Sequence, residues 1–404
     1  MKTSLGHLTY CSNIHPGERW DDHFDALKAS IPSIRQSLAP HKPFGIGLRV
    51  AGLASKDLLL ETNLRPFQEW LKDQNAYVFT MNGFPYGGFH DTRVKENVHA
   101  PDWIQPERRD YTLRLFQILS KLLPEGMRGS ISTSPLTYRH WCPQESTRTE
   151  AFQQATHHIL EVVLALIQIN QETGQVLHLN LEPEPDGLLE NSTEFIAWFN
   201  DQLLFDGVPY LVQKAGLNEA EAEAALRTHV QVCYDVCHFA VEFENQTQAI
   251  DLFEQEGIGI GKIQISSALK VDFEDQIEEK LELLQRFDEP TYLHQVVAKH
   301  QDTLLKYPDL NTALWEADPT GQWRIHYHVP LFLEQYGLLQ STQQDIIQVL
   351  NRQKRKPFTE HLEVETYTWG VLPSESQLPI TESITREMKW VLDHIELGTR
   401  IDLN

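Results

Sequence analysis

The feature that most restricts the fold is an order: extended runs alternate with helical patterns from one end of the chain to the other. The extended runs are 8–14, 44–50, 76–82, 130–134, 177–181, 230–236, 261–266 and 361–366. Helical patterns at 20–38, 56–73, 106–123, 149–172, 248–256 and 382–397 lie between or after them. A long insertion, about 270–357, separates the last two runs and holds helical pieces and a short extended run at 323–329. Strand followed by helix, repeated in this way, argues for parallel strands joined by helical crossovers. Eight such units are the number for a (β/α)8 TIM barrel, and 404 residues suit one such domain, 1–404, carrying an insertion. A doubly wound sheet is the rival. No G-x-G-x-x-G follows the first run, which removes the commonest reason to prefer it.

The run from Leu177 to Leu181 alternates strictly, with Leu177, Leu179 and Leu181 on one face and His178, Asn180 and Glu182 on the other. Prolines at 183 and 185 stop the strand there. Later runs repeat the parity. Gln231, Cys233 and Asp235 oppose Val232, Tyr234 and Val236; Lys262, Gln264 and Ser266 oppose Ile263 and Ile265; His361, Glu363 and Glu365 oppose Leu362 and Val364. In a barrel the apolar face meets the helix ring, so the polar face points inward. Barrel interiors are ordinarily filled with branched apolar side chains, and a polar one is costly unless its groups pair or bind something.

Near the C-terminal ends of these strands stand Glu182, Asp235, Gln264 and Glu365. Converging carboxylates repel and raise one another's pKa, and a divalent cation resolves the conflict. Oxygen ligands suit Mn²⁺, Mg²⁺ or Co²⁺, and a nearby histidine moves the preference toward Zn²⁺. The competing account is a closed network in which these groups pair with Lys262 and the histidines. Asp235-Val236-Cys237-His238 places an imidazole on the rim beside a candidate ligand, and His326-Tyr327-His328 turns two imidazoles one way, unless that run is a solvated hairpin edge. Other strand ends offer His15, Glu18, Arg49, Asn82, Tyr86, Ser134, Tyr138 and Arg139, where loops build the sites of barrels. Arg49 is suited to a phosphate or carboxylate. His157-His158 reads as a helix flank.

Composition narrows the partners. The formal net charge is −23, which repels nucleic acid, and the one dense basic run, Arg352 to Lys356, reads as cations in the last turn of a helix. The cysteines, Cys11, Cys142, Cys233 and Cys237, form no C-x-x-C pair and fit a reducing cytoplasm. The first 20 residues show no apolar core of a signal peptide, and the apolar run 160–169 is too short to span a bilayer.

Glu at the end of the fifth run, Asp-x-x-His on the sixth and Glu-Thr on the eighth resemble the xylose-isomerase-like TIM-barrel superfamily of sugar isomerases, epimerases and AP endonucleases. Leu8-Thr9-Tyr10-Cys11-Ser12-Asn13-Ile14-His15-Pro16-Gly17-Glu18 with Trp20 is similar to the opening of the EboE family, bacterial metabolite-traffic proteins encoded in ebo clusters beside a prenyltransferase-like membrane protein. The superfamily resemblance implies metal ligands at Glu182, Asp235, Gln264 and Glu365, with His238 a substrate or second-metal residue. Gln264 departs from the pattern, where the epimerases and endonucleases place histidine. His326-x-His328 resembles the endonuclease Asp-x-His, whereas Asn82 and Ser134 lie where endonuclease histidines would be, so a full three-metal cluster is not expected.

The expectation is a cytoplasmic protein, not inserted in a membrane, that binds one divalent metal and a small polyhydroxylated or phosphorylated metabolite. Contact with membrane proteins of the same pathway goes with the EboE resemblance. As an isomerase or epimerase it would use Glu182 and Glu365 as catalytic residues, one abstracting a proton next to a carbonyl and the other returning it, with the metal polarising that carbonyl. His238, Arg49, Asn82, His15, His326 and His328 would bind substrate. The alternatives are a non-catalytic metabolite-binding barrel whose metal site has decayed at Gln264, and an AP-endonuclease-like phosphodiesterase.

Overall fold

The structure, a computed structural model, describes residues 1–89, 93–370, 372 and 379–397. Strand one is Gly6–Tyr10, strand two Phe44–Arg49, strand three Ala76–Asn82 and strand four Gly129–Thr133. Strand five is Leu177–Leu181, strand six Val230–Asp235, strand seven Ile260–Ile265 and strand eight His361–Val364. Strands two to eight pair with their sequence neighbours, all in parallel, and strand eight pairs in parallel with strand one. The last seam, between strands one and two, is closed by one parallel bridge, Cys11 to Gly47. There the Thr9 hydroxyl donates to the Gly45 carbonyl (2.8 Å) and accepts from the Gly47 amide (2.8 Å). The ring is the (β/α)8 barrel that the alternation predicts.

The parity of the strands is realised as burial on both sides. Leu177, Leu179 and Leu181 are fully buried in the apolar layer under the helix ring, each contributing about 2 kcal/mol of hydrophobic stabilisation. The helix Glu145–Thr173 supplies Val162, Val163 and Leu166 to that layer, which accounts for the apolar run at 160–169. Among the described residues no helix is long and apolar enough to cross a membrane. The four cysteines are free and buried.

Some segments depart from the sequence reading. The helical pattern 56–73 is two helices, Gly52–Leu58 and Glu61–Asp73. Asn63 Nδ2 donates to the Asp57 carbonyl (2.8 Å), occupying an acceptor that a continuous helix would use, and Leu60 is extended. The first extended run ends as a strand at Tyr10, and Ser12–Ile14 is a short 3-10 turn.

Between strands seven and eight a six-stranded antiparallel sheet rises over the barrel mouth. Its order is Thr303–Tyr307, Val296–His300, Gln322–Ile325, Leu269–Asp272, Leu339–Ser341, Gln335–Tyr336. The following helix, Gln343–Arg355, packs on the helices Gln246–Gln255 and Ile380–Leu397 and so joins the ring. Its last turn carries Arg352, Lys354 and Arg355, the basic run. The strand Gln322–Ile325 ends just before His326, and the chain then crosses the barrel mouth instead of forming a solvated hairpin edge.

Candidate functional site

The polar interior divides along the barrel axis. In the lower half most side chains pair with one another. Lys262 Nζ lies 2.5 Å from Glu363 Oε2 and donates to Ser132 Oγ (3.1 Å), with both charged side chains wholly buried. His361 Nδ1 meets Ser130 Oγ (2.7 Å), Ser130 Oγ meets Thr80 Oγ1 (2.7 Å), and His178 Nδ1 meets Asn180 Oδ1 (2.7 Å). Lys262 and these two histidines thus take partners other than Glu182, Asp235, Gln264 and Glu365.

The upper half is different. Glu182 at the end of strand five, Asp235 at the end of strand six and Glu365 just beyond strand eight each present a carboxylate oxygen, and these atoms lie within 4.8 Å of one another. All three side chains are buried. Glu182 Oε2 and Asp235 Oδ2 have no hydrogen-bond partner. Burial, then the charges of Glu365 and Asp235, hold the Glu182 carboxyl well above the usual range. Burial, then Asp235, does the same to Glu365. A site of this kind is what a divalent cation neutralises, and the orphaned oxygens are the donors it takes.

Glu365 is fixed from below by three amides: Asn13 Nδ2 (2.7 Å) and Asn82 Nδ2 (2.8 Å) donate to Oε1, and Gln264 Nε2 (2.5 Å) to Oε2. The Gln264 oxygen accepts from Cys233 Sγ (2.7 Å). Gln264 therefore stands beside the carboxylates with its nitrogen toward them, and it would need the opposite amide orientation to act as a ligand.

Asp235 also shapes the rim. Its Oδ1 accepts from the His238 backbone amide (3.1 Å), capping the helix Val236–Val241 and setting His238 above it. The three rim imidazoles share one arrangement. His238 Nδ1 faces the Pro183 carbonyl (3.0 Å), His326 Nδ1 the Gln295 side-chain oxygen (2.7 Å), and His328 Nδ1 the Glu365 carbonyl (3.0 Å). These acceptors require a proton on each Nδ1 and leave Nε2 bare. His238 Nε2 and His326 Nε2 lie 3.1 Å apart, and His328 Nε2 is without a partner. Burial lowers all three, His326 well below its ordinary value, helped by His238 and His328, and His328 to about 4. Bare nitrogens facing one another with no proton between them are cation donors. Asp235, His238 and His328 offer a second close set of ligand atoms, and Cys237, His326 and His328 a third.

Above this floor lies a cavity. Its upper wall is apolar: Phe84, Phe89 and Val98 from the segment after strand three, Tyr292 from the insertion and Tyr367 from the loop after strand eight. Phe89, Tyr292 and Tyr367 pack ring on ring, with centroids 5.0–5.2 Å apart, and the Tyr292 hydroxyl donates to the Phe89 carbonyl (2.9 Å). Lys95 ties the segment to the insertion through Asp309 (2.7 Å) and the Glu289 carbonyl (3.1 Å).

Glu182, Glu365, His238, His326, His328 and Asn82 line the cavity. Two other residues expected to bind substrate are turned elsewhere. Arg49 is buried beneath the rim loops, with its guanidinium on the carbonyls of Gly87, Pro85 (3.4 Å) and Gly17 (3.3 Å). His15 Nε2 pairs with the Tyr10 hydroxyl (2.8 Å). Both positions sit at strand ends, but the segments after strands one and three supply the partners of Arg49, and strand one supplies that of His15. His158 bonds the Trp103 carbonyl (2.8 Å) from its helix. The sequence reading missed Asn13 and Glu184, which line the cavity. Glu184 repeats the Glu-Pro pattern of Glu182, which was a legible signal.

No family model and no curated protein matches the chain. Solved structures do. A D-tagatose 3-epimerase-like protein is 10% identical with a TM-score of 0.50, covering 98% of this chain and 98% of that chain. A xylose isomerase domain protein from Alicyclobacillus acidocaldarius subsp. acidocaldarius is 10% identical with a TM-score of 0.47, over 98% of this chain and 99% of that one. A xylose isomerase-like TIM barrel protein from Mycobacterium smegmatis, solved in complex with magnesium, is 10% identical with a TM-score of 0.48, over 96% and 98%. At such identities the likeness speaks of the fold alone.

Proposed function

We propose that this chain is a divalent-metal-dependent isomerase or epimerase acting on a small hydroxylated carbonyl compound. The observation that carries the reading is the meeting of Glu182, Asp235 and Glu365, with unpartnered oxygens on Glu182 and Asp235, at the floor of a cavity lined by Glu182 and Glu365. The cation would be held by these three, with His238 and His328 beside Asp235. Mn²⁺, Co²⁺, Mg²⁺ and Zn²⁺ are the candidates, and the imidazoles favour Zn²⁺ or Co²⁺. When bound, such an ion polarises a carbonyl and so acidifies the adjacent C–H. Glu182 and Glu365 serve as the acid–base pair, one taking a proton from the carbon beside the carbonyl and the other returning it. Asn13, Asn82 and Gln264 set the orientation of Glu365 before the ligand arrives. The aromatic cover excludes water from the exchanging proton. The name of the D-tagatose 3-epimerase-like neighbour supports the reaction class.

The finer reading is a metabolite-traffic role of the EboE type, in the cytoplasm and next to membrane proteins of the same pathway. It rests on the motif 8–20, and Asn13 of that motif donates to Glu365, which supports a place for it in the site. One observation favours a second reading, a binding barrel without catalysis: Gln264 turns its nitrogen, not its oxygen, to the carboxylates. Metal analysis after loading tests the first reading, with about one equivalent expected for a site of this donor set. Less than about a tenth of an equivalent with every one of the four ions sinks it. Metabolite binding that survives Glu182→Gln and Glu365→Gln, with no proton exchange in the unaltered protein, would establish the second.

A further inference from the structure

The cavity has two unlike ends. On its floor stand groups that hold a cation or a polar head: Glu182, Glu365 and the imidazoles of His238, His326 and His328. The upper wall comes from stretches of chain after strand three, in the insertion and after strand eight. Their side chains form a hydrophobic cluster of their own, apart from the main core: Phe89, Val94 and Tyr292, with Val98 and Tyr367 packed against them.

The polar groups along this wall are already engaged. The Phe84 carbonyl accepts from Arg108 Nη1 (2.9 Å), the Pro85 carbonyl from Arg49 Nη2 (3.4 Å) and the Phe89 carbonyl from the Tyr292 hydroxyl (2.9 Å). Lys95 is held by Asp309 and the Glu289 carbonyl. Asn82 Oδ1 accepts from the Phe84 amide (3.0 Å), and its Nδ2 donates to Glu365. The Tyr367 phenol can serve one hydroxyl of a ligand. A polyol chain lying against this wall buries further hydroxyls without partners, and each weakens binding by about ten-fold. The C–H face of a sugar does lie well on aromatic rings, but the hydroxyls at its rim then need partners that this wall has spent. A hydrocarbon group meets no such cost, and it gains about four-fold in affinity for each methylene fully buried.

We propose that the ligand of this cavity is amphiphilic: a hydroxy-carbonyl head on the floor and a hydrocarbon substituent, in place of a further polyol chain, against Phe89, Val98 and Tyr292. This rests on reading the cavity as the ligand site. It narrows the hydroxylated carbonyl compound to a 2-hydroxy ketone or aldehyde whose remaining carbons carry no hydroxyl. The hydrocarbon end, by taking the apolar wall, fixes which carbon of the head faces Glu182 and Glu365.

The test is a saturation-transfer NMR titration of the full chain, loaded with Zn²⁺, with hydroxyacetone, 1-hydroxy-2-butanone, 1-hydroxy-2-pentanone and D-tagatose. Expected is a tightening of about two- to four-fold with each added methylene, and D-tagatose weaker than 1-hydroxy-2-pentanone by about ten-fold or more. A series that becomes measurable only at its longer members supports the proposal equally. Val98→Thr keeps the shape of the side chain and puts a hydroxyl on the wall; it should remove most of the gain along the series and leave hydroxyacetone unchanged. If that variant fails to fold, the series on the unaltered protein decides. Affinity that is flat or falls along the series overturns the proposal, and so does D-tagatose binding more tightly than 1-hydroxy-2-pentanone, or no binding of any of these compounds. Hydroxyacetone binding with a flat series leaves the cavity as the ligand site and removes only the apolar subsite. Zn²⁺ uptake is measured separately; if there is none, the metal reading fails by itself, and the same series without metal still decides on the wall.

Discussion

The pair Lys262–Glu363 beneath the site offers the sharpest quantitative test of the polar barrel interior. The two charges lie 2.5 Å apart and are wholly buried, with Ser132 Oγ the other contact of the ammonium. Lys262→Met keeps the length and volume of the side chain and leaves Glu363 buried without its cation. Removing one partner of a buried pair costs about 3–5 kcal/mol, which is a large part of the stability of an ordinary domain. Burial by itself would lower the Lys262 pKa; Glu363 beside it more than reverses this, so the net shift is upward. A cation whose pKa is raised by folding contributes stability that is fully present below its unfolded pKa, about 10.4, and is lost only as pH rises through the folded value. The contribution should therefore be flat from about pH 6 to 9. Urea unfolding followed by circular dichroism measures it, with m-values checked for constancy. The double change Lys262→Met with Glu363→Gln should recover at least half the loss, because the uncompensated charge is gone. A loss below about 1 kcal/mol, the value of an exposed pair, would refute the buried pairing. A double variant no more stable than Lys262→Met would refute the electrostatic account and leave packing as the cause.

Three further outcomes follow from the same geometry. A Cβ on Gly47 would fall 1.9 Å from Glu363 Oε1 and 2.7 Å from the Tyr10 carbonyl, so Gly47→Ala should lower stability by about 1–3 kcal/mol or more in the same urea assay. Burial pushes Glu387, on the C-terminal helix, up to about 7. An acid raised by folding destabilises as pH climbs from its unfolded value to its folded one, so Glu387→Gln should unfold at higher temperature than the unaltered protein near pH 8 and lose that advantage near about pH 4. Saturating divalent metal at a hundred times its dissociation constant should stabilise the protein by about 2.7 kcal/mol, read as a raised midpoint in thermal unfolding, and Asp235→Asn should abolish the gain because Asp235 belongs to both the carboxylate and the imidazole sets.

Much of this molecule was legible in one dimension. The helix Trp20–Leu38 and the strands Ala76–Asn82 and Leu177–Leu181 match the sequence reading, because period and terminators are local properties. Parity alone put His178, Lys262, Gln264, Glu363 and Glu365 on inward faces, since an alternating strand has only two faces and the apolar one must meet the helices. The convergence of Glu182, Asp235 and Glu365 follows from the same reasoning, as each stands at the C-terminal end of its strand. What each side chain touches was not legible. Arg49 ends a strand as a ligand-binding arginine would, yet the carbonyls of the loops after the two neighbouring strands take its guanidinium. Gln264 has the right parity, but its amide orientation is decided by Cys233 and Glu365. His99 and Glu184 are 85 residues apart in sequence and come within 4.0 Å only because the segment after strand three folds back toward the end of strand five. The period of a strand fixes which face a residue takes; the hydrogen-bond partner at the end of its side chain depends on loops distant in sequence, and only their packing assigns it.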